Sequence, residues 1–332
     1  MTWWYLLTPV AVLAILALFR YVGCEGVPDI TFVDDPYDVK VKADTPVSYW
    51  RLQEAAGPTA QDEMLFRDGT FGTAPSPLDP GPPAVKSTGA NPTLIQVGSK
   101  DVPLFMHKPL SETPEVSVRV GGGFVQVPSA GPLNPPQFTL EALVFPEWDL
   151  TQLGSFYCVL ESSSPKSGDP SKAKKFGYAI YGGPDNPADP ASPYHWQVWV
   201  GTGSNFVRLG EKKPYAHAAN DKGEVNPGPK IEAVPTYIAV TFSTSQAFLF
   251  MYIDDRDMDF VKYELDHQPY AANVSADLFL GISGPGERAL FAPPGPNQFL
   301  YPFKGRMTEI AVYGKALDET QIVQHIGSAF FR

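Results

Sequence analysis

The fold of this chain is decided by two neighbouring runs, Tyr237-Ile238-Ala239-Val240-Thr241-Phe242 and Phe248-Leu249-Phe250-Met251-Tyr252-Ile253. Each run is rich in β-branched and aromatic residues, which favour strands, and both of its faces are largely apolar. A strand that is apolar on both faces is typically covered on both sides in the folded protein. The pair therefore predicts two central strands of a sheet that is buried by other layers above and below.

The chain from Val47 onwards repeats this pattern in shorter runs. Segments rich in Val, Ile, Phe, Tyr and Thr are separated by clusters of Gly, Pro, Asn and Asp, which is typical of many strands joined by turns. The 35 Pro and 29 Gly residues lie between the apolar runs and indicate those turns. The other predicted strands cover residues 47–52, 115–120, 124–127, 138–145, 156–161, 176–181, 195–200, 259–264, 277–282 and 303–313.

One short soluble helix is predicted at the carboxyl end of the chain. Asp318 is its expected N-cap, and Gln321 three residues later completes a capping box. Ile322, Val323 and Ile326 share one face of this helix. We expect that face to dock on the strands.

Several segments, in chain order, resemble the laminin-G-like, concanavalin A-like domains of bacteria. Residues 43–54, ADTPVSYWRLQE, and the turn Asp68-Gly69-Thr70-Phe71 are similar to the first strand and hairpin of that family. Residues 118–128 resemble its next hairpin, and residues 138–146 resemble its long core strand. Residues 303–313 are similar to its final strand, which precedes a short helix.

The resemblance extends over roughly residues 37–325 and implies an all-β fold, a two-sheet antiparallel jelly-roll sandwich. Members of such families mostly bind glycans, proteins or calcium, and enzymes are a minority among them. Because one fold serves many functions, the resemblance alone does not choose among these ligands.

Before the sandwich, residues 3–22 are apolar and carry a single charge. As a helix they would be about 30 Å long, which matches one hydrocarbon core. Aromatic rings flank the stretch at both ends, where they prefer the headgroup level. The sequence predicts a single-pass transmembrane helix within residues 1–23. Its expected anchoring residues are Trp3, Trp4, Tyr5, Arg20 and Tyr21.

Two features of this stretch leave alternatives open. Ala11, Ala14 and Ala17 form a row of small residues, which either lets another helix approach closely or simply faces lipid. Tyr21-Val22-Gly23-Cys24 resembles a lipobox, in which Cys24 would be lipidated, although Tyr21 fits that motif poorly.

The remaining organisation follows from proline and loop patterns. Residues 24–46 have no sustained period and predict an extended linker. Residues 47–332 are expected to form the jelly roll, with long loops within residues 162–235 that contact partners. The soluble part is expected on the periplasmic or outer face of the membrane.

The charge balance restricts the partners. The chain has 25 Lys and Arg against 36 Asp and Glu, a net charge of −11, which disfavours binding to nucleic acid. Its two cysteines, Cys24 and Cys158, provide no disulfide framework. Cys158 lies in an apolar run and is expected to be a small buried side chain.

No catalytic set is recognisable in the sequence. Glu141 and Glu147 flank a predicted strand end, but Pro146 breaks their alternation, so we expect two solvated carboxylates. The five histidines are scattered without the spacing of zinc ligands. The sequence therefore predicts a non-catalytic protein without a resident cofactor, calcium being the one ion worth considering.

The calcium candidate is a short acidic cluster at a strand end. Carboxylate oxygens at this density can hold Ca²⁺, although a charged turn with Arg256 and Lys262 as counterions is the more common arrangement. The four residues are Asp254, Asp255, Asp257 and Asp259.

The glycan candidate is the aromatic set Tyr194, Trp196 and Trp199, whose rings could stack on sugars. Trp196 and Trp199 are three residues apart, so on a strand they face opposite sides, and at least one is expected in the core.

Two functions are consistent with these features. The first is a non-catalytic, membrane-anchored structural subunit that stabilises a larger membrane complex, photosynthetic or respiratory, with integral membrane proteins and lipid as partners. The second is a cell-surface carbohydrate-binding module, calcium-dependent or not.

Overall fold

The computed structural model describes residues 37–54, 58–73, 94–97, 115–121, 123–146, 156–165, 175–185, 192, 194–210, 236–253, 261–284 and 301–330. All of them belong to Asp34–Arg332, one of two units into which the chain divides. Within these ranges, no helix is both long enough and apolar enough to cross a bilayer.

Several predicted residues lie outside the described ranges. They are Trp3, Trp4, Tyr5, Ala11, Ala14, Ala17, Arg20 and Tyr21 of the predicted membrane helix, together with Cys24, Asp254, Asp255, Asp257 and Asp259.

The described part of the chain contains two α-helices and sixteen strands. The helices are α1 (Tyr37–Ala43) and α2 (Glu319–Phe330). The strands are β1 (Ser48–Trp50), β2 (Thr59–Ala60), β3 (Gly69–Thr73), β4 (Leu94–Val97), β5 (Glu115–Gly121), β6 (Gly123–Val127), β7 (Phe138–Pro146), β8 (Tyr157–Pro165), β9 (Lys175–Pro184), β10 (Tyr194–Gly201), β11 (Phe206–Gly210), β12 (Thr236–Phe242), β13 (Ala247–Ile253), β14 (Val261–Leu265), β15 (Leu278–Leu280) and β16 (Lys304–Tyr313).

These strands form two antiparallel sheets. In the first sheet the order is β14-β13-β12-β7-β16-β5-β4, and β1 also pairs with β16. In the second sheet the order is β11-β10-β9-β8-β15-β6-β3-β2. Side chains from both sheets meet in one large apolar core between them. The predicted two-sheet antiparallel sandwich with a short carboxyl-terminal helix is therefore confirmed.

The two runs that predicted central strands, β12 and β13, are neighbours in the first sheet. Val240 of β12 is opposite Leu140 of β7 on one side and Leu249 of β13 on the other. These three side chains are buried in the core between the sheets. On the opposite face, Tyr237 and Phe250 belong to a second apolar cluster, so both faces are covered as predicted.

Helix α2 covers that second face. Its capping box forms as predicted: Asp318 N–H donates to Gln321 Oε1 at 3.0 Å, and Gln321 N–H donates to Asp318 Oδ1 at 2.9 Å. Ile322 and Ile326 are buried against the sheet, while Val323 is half-buried. The docking of this helix on the strands is confirmed.

The prediction of an extended linker is wrong for the last part of residues 24–46, because residues 37–43 form helix α1. Tyr37 and Val41 are one turn apart and both are buried in the second cluster, together with residues of α2. A two-turn helix has too weak a period to detect in sequence, and its tertiary contacts stabilise it.

Two other local predictions are also wrong. Residues 118–128 do not form a hairpin, because β5 belongs to the first sheet and β6 to the second, so the chain changes sheets near Gly122. Residues 68–71, expected as a turn, belong mostly to strand β3, which pairs with β6. Long loops were also expected within residues 162–235. The described part of that range contains β9, β10, β11 and the end of β8, and the rest of it lies outside the described residues.

A buried charged cluster fastens both helices to the first sheet. Glu141 of β7 accepts hydrogen bonds from the hydroxyls of Tyr37 at 3.2 Å and Tyr313 at 3.1 Å. Its other oxygen, Oε1, lies 2.8 Å from His325 Nδ1 of α2. His325 Nε2 in turn lies 3.1 Å from Oδ2 of Asp44, which follows α1. The prediction that Glu141 is solvated is wrong, because the helices cover it.

Small neighbours leave room for the Glu141 carboxylate. In register across the sheet, Glu141 lies between Ala239 of β12 and Ala311 of β16. Neither neighbour projects a bulky side chain beside it, so groups from above the sheet can reach the carboxylate.

The charge of this cluster depends on pH. Burial by itself lowers the pKa of His325, but the Glu141 charge and the hydrogen bonds to Asp44 and Glu141 outweigh it and raise that pKa to about 9. Burial opposes ionisation of Asp44, yet the hydrogen bond and charge of His325 lower the Asp44 pKa. The His325 contribution to stability is therefore complete below its unfolded pKa near 6.5 and is lost as the pH rises through about 9. The Asp44 contribution is lost as the pH falls below its ordinary pKa.

Replacing the buried histidine tests this cluster. We expect His325→Gln to lower the free energy of unfolding by about 3–5 kcal/mol at pH 6, because Glu141 is left buried without its cationic partner. The variant should also lack the decline in stability that we expect of the natural protein between pH 6.5 and 9. Urea unfolding at several pH values measures both effects. His267→Gln, which alters an exposed histidine, is the control, and an unchanged pH profile in His325→Gln would contradict the assignment.

The capping box gives a second stability prediction. Asp318→Ala should lower the free energy of unfolding by about 1 kcal/mol, because the Gln321 N–H loses its acceptor at the helix start. Gln324→Ala, on the same helix but beyond its first turn, serves as the control in the same urea titration. Equal stability of Asp318→Ala and the natural protein would refute a stabilising cap.

Candidate functional site

The candidate site lies on the outer face of the second sheet, on strands β8 to β11. Successive side chains of a strand point to opposite faces, and β10 shows this clearly. Trp196 and Val198 are buried in the core between the sheets, whereas Trp199 belongs to a separate cluster. By the same alternation, His195 and Gln197 share the outer face with Trp199.

This division corrects the predicted aromatic platform. Trp196 has no exposed surface, and Tyr194 also packs into the core between the sheets, so neither presents a free ring face to a ligand. Only Trp199 lies on the outer face, where 8% of its surface is exposed. The expectation that Trp196 and Trp199 face opposite sides, with one of them in the core, is confirmed.

Trp199 belongs to an aromatic cluster on the outer face, which we call the aromatic patch. Its rings meet mostly edge to face: Phe156 and Trp199 at 6.4 Å between centroids, Tyr181 and Trp199 at 6.1 Å, and Tyr181 and Tyr301 at 5.8 Å. Phe206 of β11 and Tyr301 are only partly buried against it. Burial and the nearby Glu161 carboxylate raise the pKa of the Tyr301 phenol to about 12, so the hydroxyl stays protonated at neutral pH.

A glycine in β9 makes the aromatic patch possible. An added Cβ at Gly183 would lie 2.1 Å from the ring of Phe156, far closer than any van der Waals contact. The Phe156 ring therefore occupies the space that a side chain at position 183 would need.

A charged group lies beside the aromatic patch at the sheet edge, where β11 is the outermost strand. Arg208 and Asp185 are both exposed at the surface. Arg208 Nη2 lies 3.3 Å from Asp185 Oδ1, and Nη1 donates to the Asp185 carbonyl at 2.9 Å. His195 Nε2 lies 3.1 Å from Asp185 Oδ2, an electrostatic contact without the geometry of a hydrogen bond.

Strand register brings the charged group and the aromatic patch together. Arg208 is directly opposite Trp199 across the β10–β11 pair. Gln197 is opposite Tyr181 on one side and Gly210 on the other, and His195 is opposite Gly183. Gly210 leaves the position beside the Gln197 amide without a side chain, whereas the Phe156 ring occupies the side-chain space at Gly183.

Two polar groups of this edge have unused hydrogen-bonding capacity. Gln197 Nε2 donates to the Gly183 carbonyl at 2.9 Å, but its Oε1 has no hydrogen-bond partner. His195 Nδ1 likewise has none. Both residues are more than nine-tenths buried, and buried polar atoms in folded proteins are almost always hydrogen-bonded. Both atoms lie beneath the surface, where a buried water is the kind of partner that such groups commonly have.

The sequence analysis missed Asp185, His195, Gln197 and Arg208. Alternation along residues 195–200 is a signal that could have placed His195 and Gln197 on the face of Trp199. Asp185 and Arg208 could not be found in this way, because only strand pairing brings them next to β10.

Other candidates in the described ranges are occupied by internal contacts. Cys158 is fully buried in the aromatic patch, as predicted. Glu309, at a bulge in β16, is buried and contacts Tyr49, Arg51 and Gln53. Burial raises the pKa of its carboxyl even though the Arg51 charge opposes this. Among the residues that the structure describes, no group of His, Cys, Asp and Glu has a metal-binding arrangement.

No protein-family model matches the chain, and no curated protein matches it by sequence. Among solved structures it is similar to the enzymatically active domain of tailspike protein 2 of bacteriophage CBA120, with 12% identity and a TM-score of 0.41 over 75% of this chain and 30% of that chain. It is also similar to the receptor binding domain of botulinum neurotoxin mosaic serotype C/D, with 11% identity and a TM-score of 0.43 over 86% of this chain and 51% of that chain. A third is Ruminococcus gnavus IT-sialidase CBM40 bound to alpha2,6 sialyllactose, with 12% identity, a TM-score of 0.36 and coverage of 58% and 84%. The chain thus spans less than a third of the first structure and about half of the second.

Filling the space at Gly183 tests the aromatic patch. We expect Gly183→Ala to lower the free energy of unfolding by about 1–3 kcal/mol and to weaken the near-ultraviolet circular dichroism of the aromatic rings, because Phe156 must move. Gly210→Ala in the same sheet is the matched control, since its nearest neighbouring atom would be 3.7 Å away. Equal changes in stability and in circular dichroism for the two variants would show that the position of the Phe156 ring does not depend on Gly183.

Proposed function

We propose that this protein is a carbohydrate-binding module and that the edge formed by β9, β10 and β11 binds the sugar. The observation that carries the proposal is the register pairing of Trp199 with Arg208 beside the Asp185 carboxylate. Sugar recognition combines apolar C–H faces, which pack on aromatic rings, with hydroxyl groups, which need both donors and acceptors. The aromatic patch and the charged group provide these two kinds of contact side by side.

The polar groups here suit hydroxyls in particular. Arg208 supplies fixed donors, and the Asp185 carboxylate supplies acceptors. A ring of adjacent hydroxyls can satisfy several such planar groups at once, which gives orientation as well as affinity.

The charges favour a neutral sugar over an acidic one. Arg208 already faces Asp185 at 3.3 Å, so its positive charge is compensated. The chain as a whole has a net charge of −11, which repels polyanions at long range. We therefore assign neutral oligosaccharides as the ligand class.

Membrane anchoring, the periplasmic or outer location and a role as a non-catalytic subunit of a membrane complex stay predictions. They are compatible with sugar binding, because an anchored module presents its binding edge at a surface. Trp196→Ala is not a useful test of sugar binding, because that side chain lies in the core and its removal perturbs folding.

Binding to neutral glycans tests the proposal. The full chain in mild detergent is applied to a glycan array, and the best neutral oligosaccharide is then titrated by calorimetry. Arg208→Ala should weaken binding about 10- to 100-fold, because the site loses a charge-assisted donor worth about 1.5–3 kcal/mol. Lys262→Ala, which removes an exposed cation from the first sheet, should leave affinity unchanged.

Unchanged binding in Arg208→Ala would show that the sugar binds elsewhere, and the absence of any bound neutral glycan would refute the function itself. Phe206→Ala separates the two contributions: loss of this partly buried ring should weaken binding while leaving the Arg208–Asp185 contact in place.

A further inference from the structure

The most exposed apolar side chains among the described residues lie next to each other on one turn. Leu65 is 89% exposed and Phe66 is 73% exposed. Val39 and Val274, the other large apolar side chains at the described surface, are single residues that are exposed by 45% and 63%. We call Leu65 and Phe66 the apolar tip.

Hydrogen bonds to the buried Asp62 fix the turn that carries the apolar tip. The buried Asp62 carboxylate accepts hydrogen bonds from the backbone N–H groups of Tyr49 at 2.9 Å, Met64 at 3.0 Å and Arg67 at 2.9 Å. Leu65 N–H donates to the Asp62 carbonyl at 2.7 Å. These bonds fix both ends of the turn, so binding through the tip costs little conformational entropy.

The backbone at the tip has an unfavourable conformation. Leu65 has φ of +63°, in the left-handed region, which is uncommon for a residue other than glycine. Such a conformation costs about 1–3 kcal/mol and persists only when surrounding contacts enforce it. The hydrogen bonds to Asp62 hold the turn in this conformation.

The apolar tip is close to the point where the described domain begins. Lys42 of α1 forms an ion pair with Glu63 of the turn, at 2.7 Å between Nζ and Oε2. Helix α1 has seven residues and is therefore about 10 Å long. Residues 23–36 separate α1 from the predicted membrane helix, and fully extended they reach at most about 50 Å. Because Glu63 contacts α1, residues 23–36 are long enough for the tip to reach a bilayer that the predicted helix spans.

We propose that Leu65 and Phe66 insert into the interface of the bilayer that the amino-terminal segment is predicted to span. This second contact orients the sandwich at the membrane, and it rests on the predicted anchor rather than on the sugar-binding proposal. A protruding pair of apolar side chains suits a fluid lipid surface. The neighbouring Arg67 guanidinium lies 5.8 Å from the Phe66 ring centroid and donates to the Val47 carbonyl at 2.8 Å, so it is held in place beside the ring.

The energies agree with this secondary role. Burying two such side chains contributes about 3–6 kcal/mol, which gives only weak membrane binding by itself. Stable attachment of a peripheral contact requires a second signal. The predicted anchor supplies it, because it holds the tip at high effective concentration near the lipid.

The test places a polarity-sensitive fluorophore at the tip of the full chain. Leu65→Cys in a Cys24→Ser background is labelled with nitrobenzoxadiazole, and Cys158 stays unlabelled because it is fully buried. The protein is reconstituted into phosphatidylcholine vesicles. We expect emission that is several-fold stronger and blue-shifted compared with the same label at position 274 in the same vesicles, with quenching by phosphatidylcholine that is spin-labelled near its headgroup.

Val274→Cys in the same background is the matched control, because Val274 is also an exposed apolar residue and should show neither change. Adding Phe66→Ser to the labelled tip variant should reduce the effect. Equal emission from positions 65 and 274 in vesicles would overturn the proposal. A concentration-dependent blue shift without lipid would indicate a second copy of the chain instead and would also overturn it. Failure of the chain to float with vesicles would refute the anchor and the tip contact, while leaving sugar binding intact.

Discussion

The buried Glu141 carboxylate is the constraint on which the first sheet depends. A charged group under a helix is tolerated only when other groups satisfy it, and here they come from three elements. Tyr37 belongs to α1, Tyr313 to β16 and His325 to α2. The carboxylate therefore joins the beginning and the end of the sandwich to its central strand. Apolar packing of Ile322 and Ile326 alone would leave the position of α2 along the sheet less well defined.

The two outer faces of the sandwich differ, because helices cover one of them and the other has exposed aromatic and charged side chains at its edge. The outer face of the first sheet is covered by α1 and α2, and its Glu141 carboxylate is engaged by protein side chains. The outer face of the second sheet has an aromatic patch whose margin, at Phe206 and Tyr301, is partly exposed. Beside that margin, Asp185 and Arg208 reach the surface. The binding role is therefore proposed for the second sheet, where aromatic rings and polar groups meet at an edge strand.

Sequence patterns predicted much of the fold, because they reflect local physics. Runs such as residues 237–242 and 248–253 are recognisable as strands from their composition. The capping box of Asp318 and Gln321 is recognisable because it depends only on two residues that are three positions apart. Strands β2, β3, β4 and β11 were not predicted. They are two to five residues long, and strands of that length carry too few alternations to stand out from turns.

The candidate site shows more clearly what could not be predicted from the sequence. The sequence correctly separated Trp196 from Trp199, since alternation along one strand is a local property. It could not show that Trp196 is inside and Trp199 outside, because that choice depends on which face of the second sheet meets the first.

By itself, the sequence determined the all-β class, most of the strands, the carboxyl-terminal helix and the acidic charge, all of which depend on neighbouring residues and composition. Only the tertiary structure decided that Glu141 is buried, that Arg208 lies opposite Trp199, and that Leu65 and Phe66 protrude together. Each of these depends on contacts between distant segments, and strand pairing and helix docking create such contacts only when the whole domain folds.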